Sequence, residues 1–208
     1  MSLQNDLAVL LLLCAPLVAA VVSLSGKFLK NNSYTGVSFL IWLGGSLYAL
    51  AVSAPAIFHG APLSYHLGGW MEPYGIRLSI DGLTWIATLT DILIGTAAWL
   101  ATRRYRRFGP VFYFFFFMAL FSLQGILCTR DIFNLFIWFE VLSLSSFLLI
   151  SYDHSMSSRL AAVRYLLISS LSIIFFLIGV WILYRLTGTL SLESMAAGLA
   201  GRSTTSFD

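Results

Sequence analysis

Two carboxylates in this chain stand where charge is expensive, and the search for chemistry starts with them. Glu140 lies in Arg130-Asp-Ile-Phe-Asn-Leu-Phe-Ile-Trp-Phe-Glu140-Val-Leu-Ser-Leu-Ser-Ser-Phe, inside a nearly unbroken apolar run. Asp91 lies in another such run, on a helical face that reads Thr84, Thr88, Asp91, Gly95. Keeping a carboxylate ionised at membrane depth costs about 2.5 kcal/mol or more, because the charged form loses its water. A group in that position can load and release a proton, and an approaching cation favours its charged form. The helical neighbours of Glu140, namely Phe136, Ile137, Ser143 and Leu144, carry no charge, so any counter-charge must come from another helix. Asp91 reads as a second proton site, a sodium ligand or a hydrogen-bonded packing residue on a small, polar interior face. Arg164, at the head of a further apolar run, either snorkels to the interface or forms one station of a polar path.

The remaining reactive side chains point to nothing else. Cys14 and Cys128 lie in or at the ends of apolar segments, with no CxxC spacing and no adjacent histidine, so neither a disulfide nor a metal site is expected. His59, His66 and His154 all fall in loops, which removes the paired intramembrane histidines of a b-type haem. The expectation is a protein with no cofactor, no metal and no redox centre of its own.

These groups must be positioned by membrane helices. Of the 208 residues, 59% are hydrophobic and only 10% charged, whereas soluble domains carry about 25% charged residues. The composition therefore excludes a soluble domain, and disorder with it. A bilayer crossing needs roughly 20 apolar residues, and six stretches qualify: residues 7–24, 34–58, 83–102, 111–129, 132–152 and 165–184. No ten-residue alternation of apolar and polar residues suggests a transmembrane barrel strand. The fold class is all-α, a polytopic integral membrane protein. Residues 1–186 form its transmembrane domain, and 187–208 a short tail rich in Ser, Thr, Gly and Ala with little apolar periodicity to anchor it.

The net charge of +3 is spread over short loops and forms no nucleic-acid groove. It serves orientation instead. Lys27, Lys30, Arg103, Arg104, Arg106, Arg107, Arg159 and Arg164 fall on one side, and Arg77, Arg130, Arg185 and Arg202 on the other. The richer side is expected to be cytoplasmic, with both termini outside. The run Arg103 to Arg107 is then what topology alone demands. On this orientation Glu140 lies eight residues from the outer end of its span, about 12 Å deep at ~1.5 Å per residue, and Asp91 lies at nearly the same depth. The longest connection, residues 59–82, holds Pro62, Gly68, Gly69, Trp70, Pro73 and Gly75, and reads as an ordered outer hairpin with an interfacial tryptophan.

Three stretches carry a resemblance. Asp131-Ile-Phe-Asn-Leu-Phe-Ile-Trp-Phe-Glu140-Val-Leu-Ser-Leu-Ser-Ser-Phe resembles the fifth-helix motif of the proton-conducting antiporter-like family, in which a run of the "DLFNLFVFFE" type carries a central glutamate. Gly68-Gly-Trp-Met-Glu-Pro-Tyr-Gly-Ile-Arg-Leu-Ser-Ile-Asp81-Gly-Leu is similar to that family's outer hairpin and entry to its third helix. Arg164-Tyr-Leu-Leu-Ile, continuing to Leu183-Tyr-Arg-Leu-Thr-Gly-Thr-Leu190, is similar to its sixth helix and exit. The family includes Mrp-type sodium/proton antiporter subunits, above all the D-like one, and the related membrane subunits of complex I and of membrane-bound hydrogenases.

The resemblance implies proton, or sodium/proton, translocation in a bacterial or archaeal plasma membrane, with Glu140 in the place of the family's key glutamate. It also implies other membrane subunits as partners in a larger complex. Asp91 matches none of these motifs. Family members have about fourteen helices, with inverted repeats in which a seventh-helix lysine pairs with the fifth-helix glutamate. Only six spans are present here, so this reading expects a fragment, a truncated chain or a split subunit whose lysine comes from a neighbour. Two alternatives stand beside it: a pumping subunit of a hydrogenase or quinone-reductase type redox complex, and a structural remnant without transport.

Overall fold

The computed structural model describes residues 2–27, 33–70, 75–105 and 108–205. Lys30, Pro73, Arg106 and Arg107 lie outside the described residues, and of Arg202 only the helical backbone is described. Six helices are long and apolar enough to cross a bilayer: α1 (Ser2–Ser25), α2 (Ser33–Phe58), α3 (Gly82–Thr102), α4 (Pro110–Cys128), α5 (Ile132–Ser151) and α6 (Met156–Thr187). A seventh, α7 (Leu192–Thr205), follows them. The chain is an all-α integral membrane protein, as its composition requires.

Local chemistry fixes where these helices begin and end. Asp81 caps α3 by accepting from the Thr84 N–H at 2.8 Å, and Asp131 caps α5 by accepting from the Asn134 N–H at 2.7 Å. Pro110 opens α4, where its missing N–H costs nothing. Gly188, at φ +71°, closes α6 in the left-handed conformation that glycine adopts most readily.

Two helices outrun the hydropathy reading: α1 starts at Ser2 rather than residue 7, and α6 departs further. α6 starts at Met156, not Tyr165, because the Ser155 hydroxyl caps it and Leu160, Ala161, Ala162 and Arg164 are good helix formers that a hydropathy window leaves out. Arg164 therefore stands inside α6, past its second turn, rather than at its head. The tail also differs from the sequence expectation. Residues 192–205 are helical, and α7 is anchored by Met195, which is 4% exposed and packs with Ile132 and Val180.

α1 packs against α2 and α4, α3 against α2 and α4, α5 against α4, and α6 against α5. In lipid no hydrophobic force drives helices together, so small residues that permit close approach decide the contacts. A Cβ at Gly45 would collide with the Ala15 side chain, which holds α1 against α2. A Cβ at Gly125 would enter the Trp138 ring, which holds α4 against α5. Trp42, Phe117, Phe39 and Trp99 fill the space between α2, α3 and α4, with the Phe39 and Trp99 rings stacked at 4.0 Å.

The long connection folds into an antiparallel hairpin, β1 (Leu63–His66) with β2 (Arg77–Ile80), in the register Leu63 to Ile80 through His66 to Arg77. Leu63, Leu78 and Ile80 are buried against Val9, Leu12 and Cys128, so the hairpin covers one end of the bundle. Gly68 and Gly69 turn it at positive φ, and Trp70 beside them is 68% exposed, as an interfacial anchor should be.

Candidate functional site

Glu140 projects from the middle of α5 and is half-buried. With Ser143, Tyr165, Ser169, Ser172 and Phe176 it lines a cavity of about 430 Å³ between α5 and α6. The Ser143 hydroxyl donates to the Ser169 hydroxyl at 3.0 Å, which ties the two helices together one turn beyond the carboxylate. Among the described residues no cation pairs with Glu140. Serine hydroxyls beside an acid can pass or accept hydrogen bonds in either protonation state, so the cavity suits a proton that comes and goes. Arg164 is exposed on α6 and adjoins Tyr165 rather than lining the cavity itself.

Asp91 belongs to another part of the molecule. It is buried on α3, along the predicted face of Thr84, Thr88 and Gly95. Gln124 of α4 donates from Nε2 to Ser46 Oγ of α2 at 3.1 Å and to Asp91 Oδ2 at 3.4 Å. Sequence reasoning missed Gln124, though a signal existed: it is the one amide side chain in the apolar run of α4. The structure thus leaves Glu140, Asp91 and Arg164 in separate surroundings.

A second missed feature lies where the hairpin meets the helices. Arg130 Nη2 donates to Asp81 Oδ2 at 2.7 Å, and Thr84 Oγ1 donates to the Leu127 carbonyl at 3.1 Å. Burial pushes the Asp81 carboxyl up, but the Thr84 hydrogen bonds and the Arg130 guanidinium outweigh it and hold the group below the usual carboxylate range. Residues 129–131 run between two neighbours: Leu78 bridges to Thr129 on one side, and Asp131 to Ser191 on the other. The backbone bonds Arg130 N to Arg77 O, Ile132 N to Leu190 O and Leu192 N to Arg130 O complete this clamp, each at 3.0 Å. Arg77 pairs across it with Glu193, and its hydrogen bond holds the Glu193 carboxyl below the usual range.

At the opposite end, the Gly109 N–H donates to the Tyr152 hydroxyl at 2.9 Å, and Arg103 lies 4.7 Å from the centroid of the Trp99 ring. This cation–π contact gives the first arginine of the basic run a local partner.

Among the described residues, six apolar helices, a hairpin at one end of the bundle and a central acid on the fifth span define a polytopic helical membrane protein with a carboxylate at mid-helix. Residues 129–207 match the family described as NADH:quinone oxidoreductase/Mrp antiporter, TM. The chain is 35% identical over 164 residues to NADH-quinone oxidoreductase subunit N of Desulforudis audaxviator, covering 74% of this chain and 32% of that protein. It is 28% identical over 196 residues to the D-type component of the Na(+)/H(+) antiporter of Alkalihalophilus pseudofirmus, covering 93% of this chain and 39% of that one. A chain in the structure of the Mrp complex from Dietzia sp. shares the fold, with a TM-score of 0.78 at 21% identity over 96% of this chain and 40% of its own. The resemblance to the antiporter-like family is borne out in sequence and in fold. The chain spans no more than two fifths of the length of these proteins.

Proposed function

We propose that this chain serves in ion translocation as part of a multisubunit membrane complex, with Glu140 as its proton-carrying group. The observation that carries the reading is the placement of Glu140: mid-helix, half-buried, on a cavity rich in hydroxyl groups, and within the stretch that matches the family. A cation brought close to Glu140 favours release of its proton, and withdrawal of the cation favours its return. Among the described residues no cation pairs with Glu140, so the cation comes from outside them. Coupling is then electrostatic, since charges interact strongly where water is scarce. Arg164, exposed on α6 one to two turns before Ser169 and Ser172 of the cavity, serves the cytoplasmic side of the path, and both termini face outward in a prokaryotic plasma membrane. The transported ion is a proton, alone or exchanged for sodium.

The test is flux in membrane vesicles that hold the assembled complex. Glu140→Gln keeps the side-chain shape and removes the titration, so proton or sodium flux falls to background while assembly is retained. Wild-type flux in that variant overturns the assignment.

A second reading has one observation of its own: the relative at 35% identity is named as part of an NADH-quinone oxidoreductase, whereas the antiporter relative stands at 28%. On that reading the chain is the pumping part of a redox machine. Iron-sulfur or flavin proteins co-purifying in constant ratio would decide for it, and a purely transmembrane set of companions would decide against it.

A further inference from the structure

The buried cluster around Asp91 is not used by Glu140, and its hydrogen bonding is incomplete in an informative way. Gln124 spends its Nε2 on Ser46 Oγ and Asp91 Oδ2, while its Oε1, fully buried, has no donor. The Thr88 hydroxyl, one turn before Asp91 on the same face, is also fully buried and without a partner. Buried polar atoms are rarely left this way, and an orphaned carbonyl asks for a proton on a neighbouring group. The two ends of a glutamine amide exchange places by one rotation, and the Ser46 hydroxyl can accept from the N–H or donate to the carbonyl.

We propose that Asp91 is a second proton-binding site, separate from Glu140, and that the Gln124 amide is its two-position partner. With Asp91 ionised, the amide N–H faces Oδ2, as the structure shows. When a proton from water adds to Oδ2, the amide turns so that Oε1 accepts from the new O–H, and Ser46 changes from acceptor to donor. Each step moves one proton and no electrons. Thr88 supplies a hydroxyl on the same face that can bond the displaced N–H.

The electrostatic surroundings are simple, so the titration belongs to Asp91 itself. α3 holds no other ionisable group, α2 holds only Tyr34 and Tyr48, and α4 only Tyr113 and Cys128. α1, which packs on α2 and α4, holds Asp6 and Cys14. The cations at the two ends of α3 have partners of their own: Arg130 is bound at Asp81 and Thr84, Arg77 of β2 pairs with Glu193, and Arg103 lies over the Trp99 ring. Thr84 lies seven residues before Asp91, about 10 Å along the axis.

The experiment is pH-dependent infrared difference spectroscopy on the full chain in lipid vesicles, with carbonyl-labelled glutamine. The chain has two glutamines, and Gln4, exposed near the start of α1, is replaced by Asn to leave Gln124 alone. As pH falls, a protonated-carboxyl band should grow in step with a downshift of the Gln124 carbonyl. Both should vanish in Asp91→Asn. Both should persist, displaced, in Asp91→Glu, which keeps the acid should the asparagine variant fail to fold. Glu140→Ala, which adds no glutamine carbonyl, should leave both unchanged, which separates this proposal from the proposed function. A carboxyl band without the amide shift overturns the role of Gln124. The absence of any Asp91-dependent band overturns the site, and loss of the band on adding sodium at constant pH makes it a cation site instead.

Discussion

In the block formed by α1 to α4, Asp91 is 9% exposed and faces an amide on the neighbouring helix, and aromatic rings fill the space around it. On α5 and α6 the acid stands half-buried at a cavity, and α6 buries only Ala162 and Val180. Leu167, Ile168, Leu171, Ile174 and Phe175 lie exposed along α6. The two regions have similar sequence hydropathy, so apolarity alone does not distinguish them. The difference is contact: in lipid, packing comes from small residues and polar links, and these are dense in the first block and sparse in the second. An acid enclosed by its own chain has fixed partners, whereas an acid on a loosely covered wall can receive partners from elsewhere.

The comparison can be broken most directly at Glu140. If the open wall carries the transport, Glu140→Gln abolishes flux in vesicles, whereas Gln124→Leu in the closed block leaves measurable flux. Equal loss in both would erase the distinction.

The seam between the regions is the next place to press. Gly125→Leu drives a side chain into the Trp138 ring. It should cost about 1–3 kcal/mol, the usual penalty of overpacking, read as a lowered midpoint of thermal unfolding in detergent. Adding Trp138→Ala should recover part of that loss, since the two changes share one contact.

The outer clamp gives a smaller, pH-dependent effect. Asp81→Ala removes a helix cap and an ion-pair partner, for about 1 kcal/mol of stability. Because folding lowers the pKa of Asp81, its contribution is fully present above the ordinary carboxylate range and fades as pH falls through the lower folded-state value. Acid unfolding of Asp81→Asn should therefore lack that component. The smallest effect belongs to Glu193→Gln. With the Glu193 side chain 64% exposed, the pair with Arg77 is screened by solvent, so faster hydrogen exchange in α7 should appear at low salt and disappear at high salt.

Hydropathy and turn residues made the six spans, their order and the hairpin readable, because each rests on a local pattern. Glu140 and Asp91 stood out as candidates for the same reason: an ionisable group in an apolar run is conspicuous. The start of α6 was not, since Met156 to Arg164 is helical through capping and propensity rather than apolarity. α7 escaped because its anchor, Met195, gains meaning only when Ile132 and Val180 arrive beside it. Gln124 and the pair of Asp81 with Arg130 join residues 33 to 78 positions apart, and no window along one sequence connects those.

The clamp at residues 129–131 also bears on the order of assembly. Leu78 reaches Thr129 from a segment made early, but the partners of Ile132 N–H and Arg130 C=O are Leu190 and Leu192. Synthesis proceeds from the N-terminus, so the edge facing residues 190–192 stays unpaired until α6 has crossed the bilayer and returned the chain to the same side. The sixth span therefore closes this layer as well as extending the bundle. A chain cut before Leu190 keeps an open strand edge there, and fast exchange of the Ile132 amide would report it.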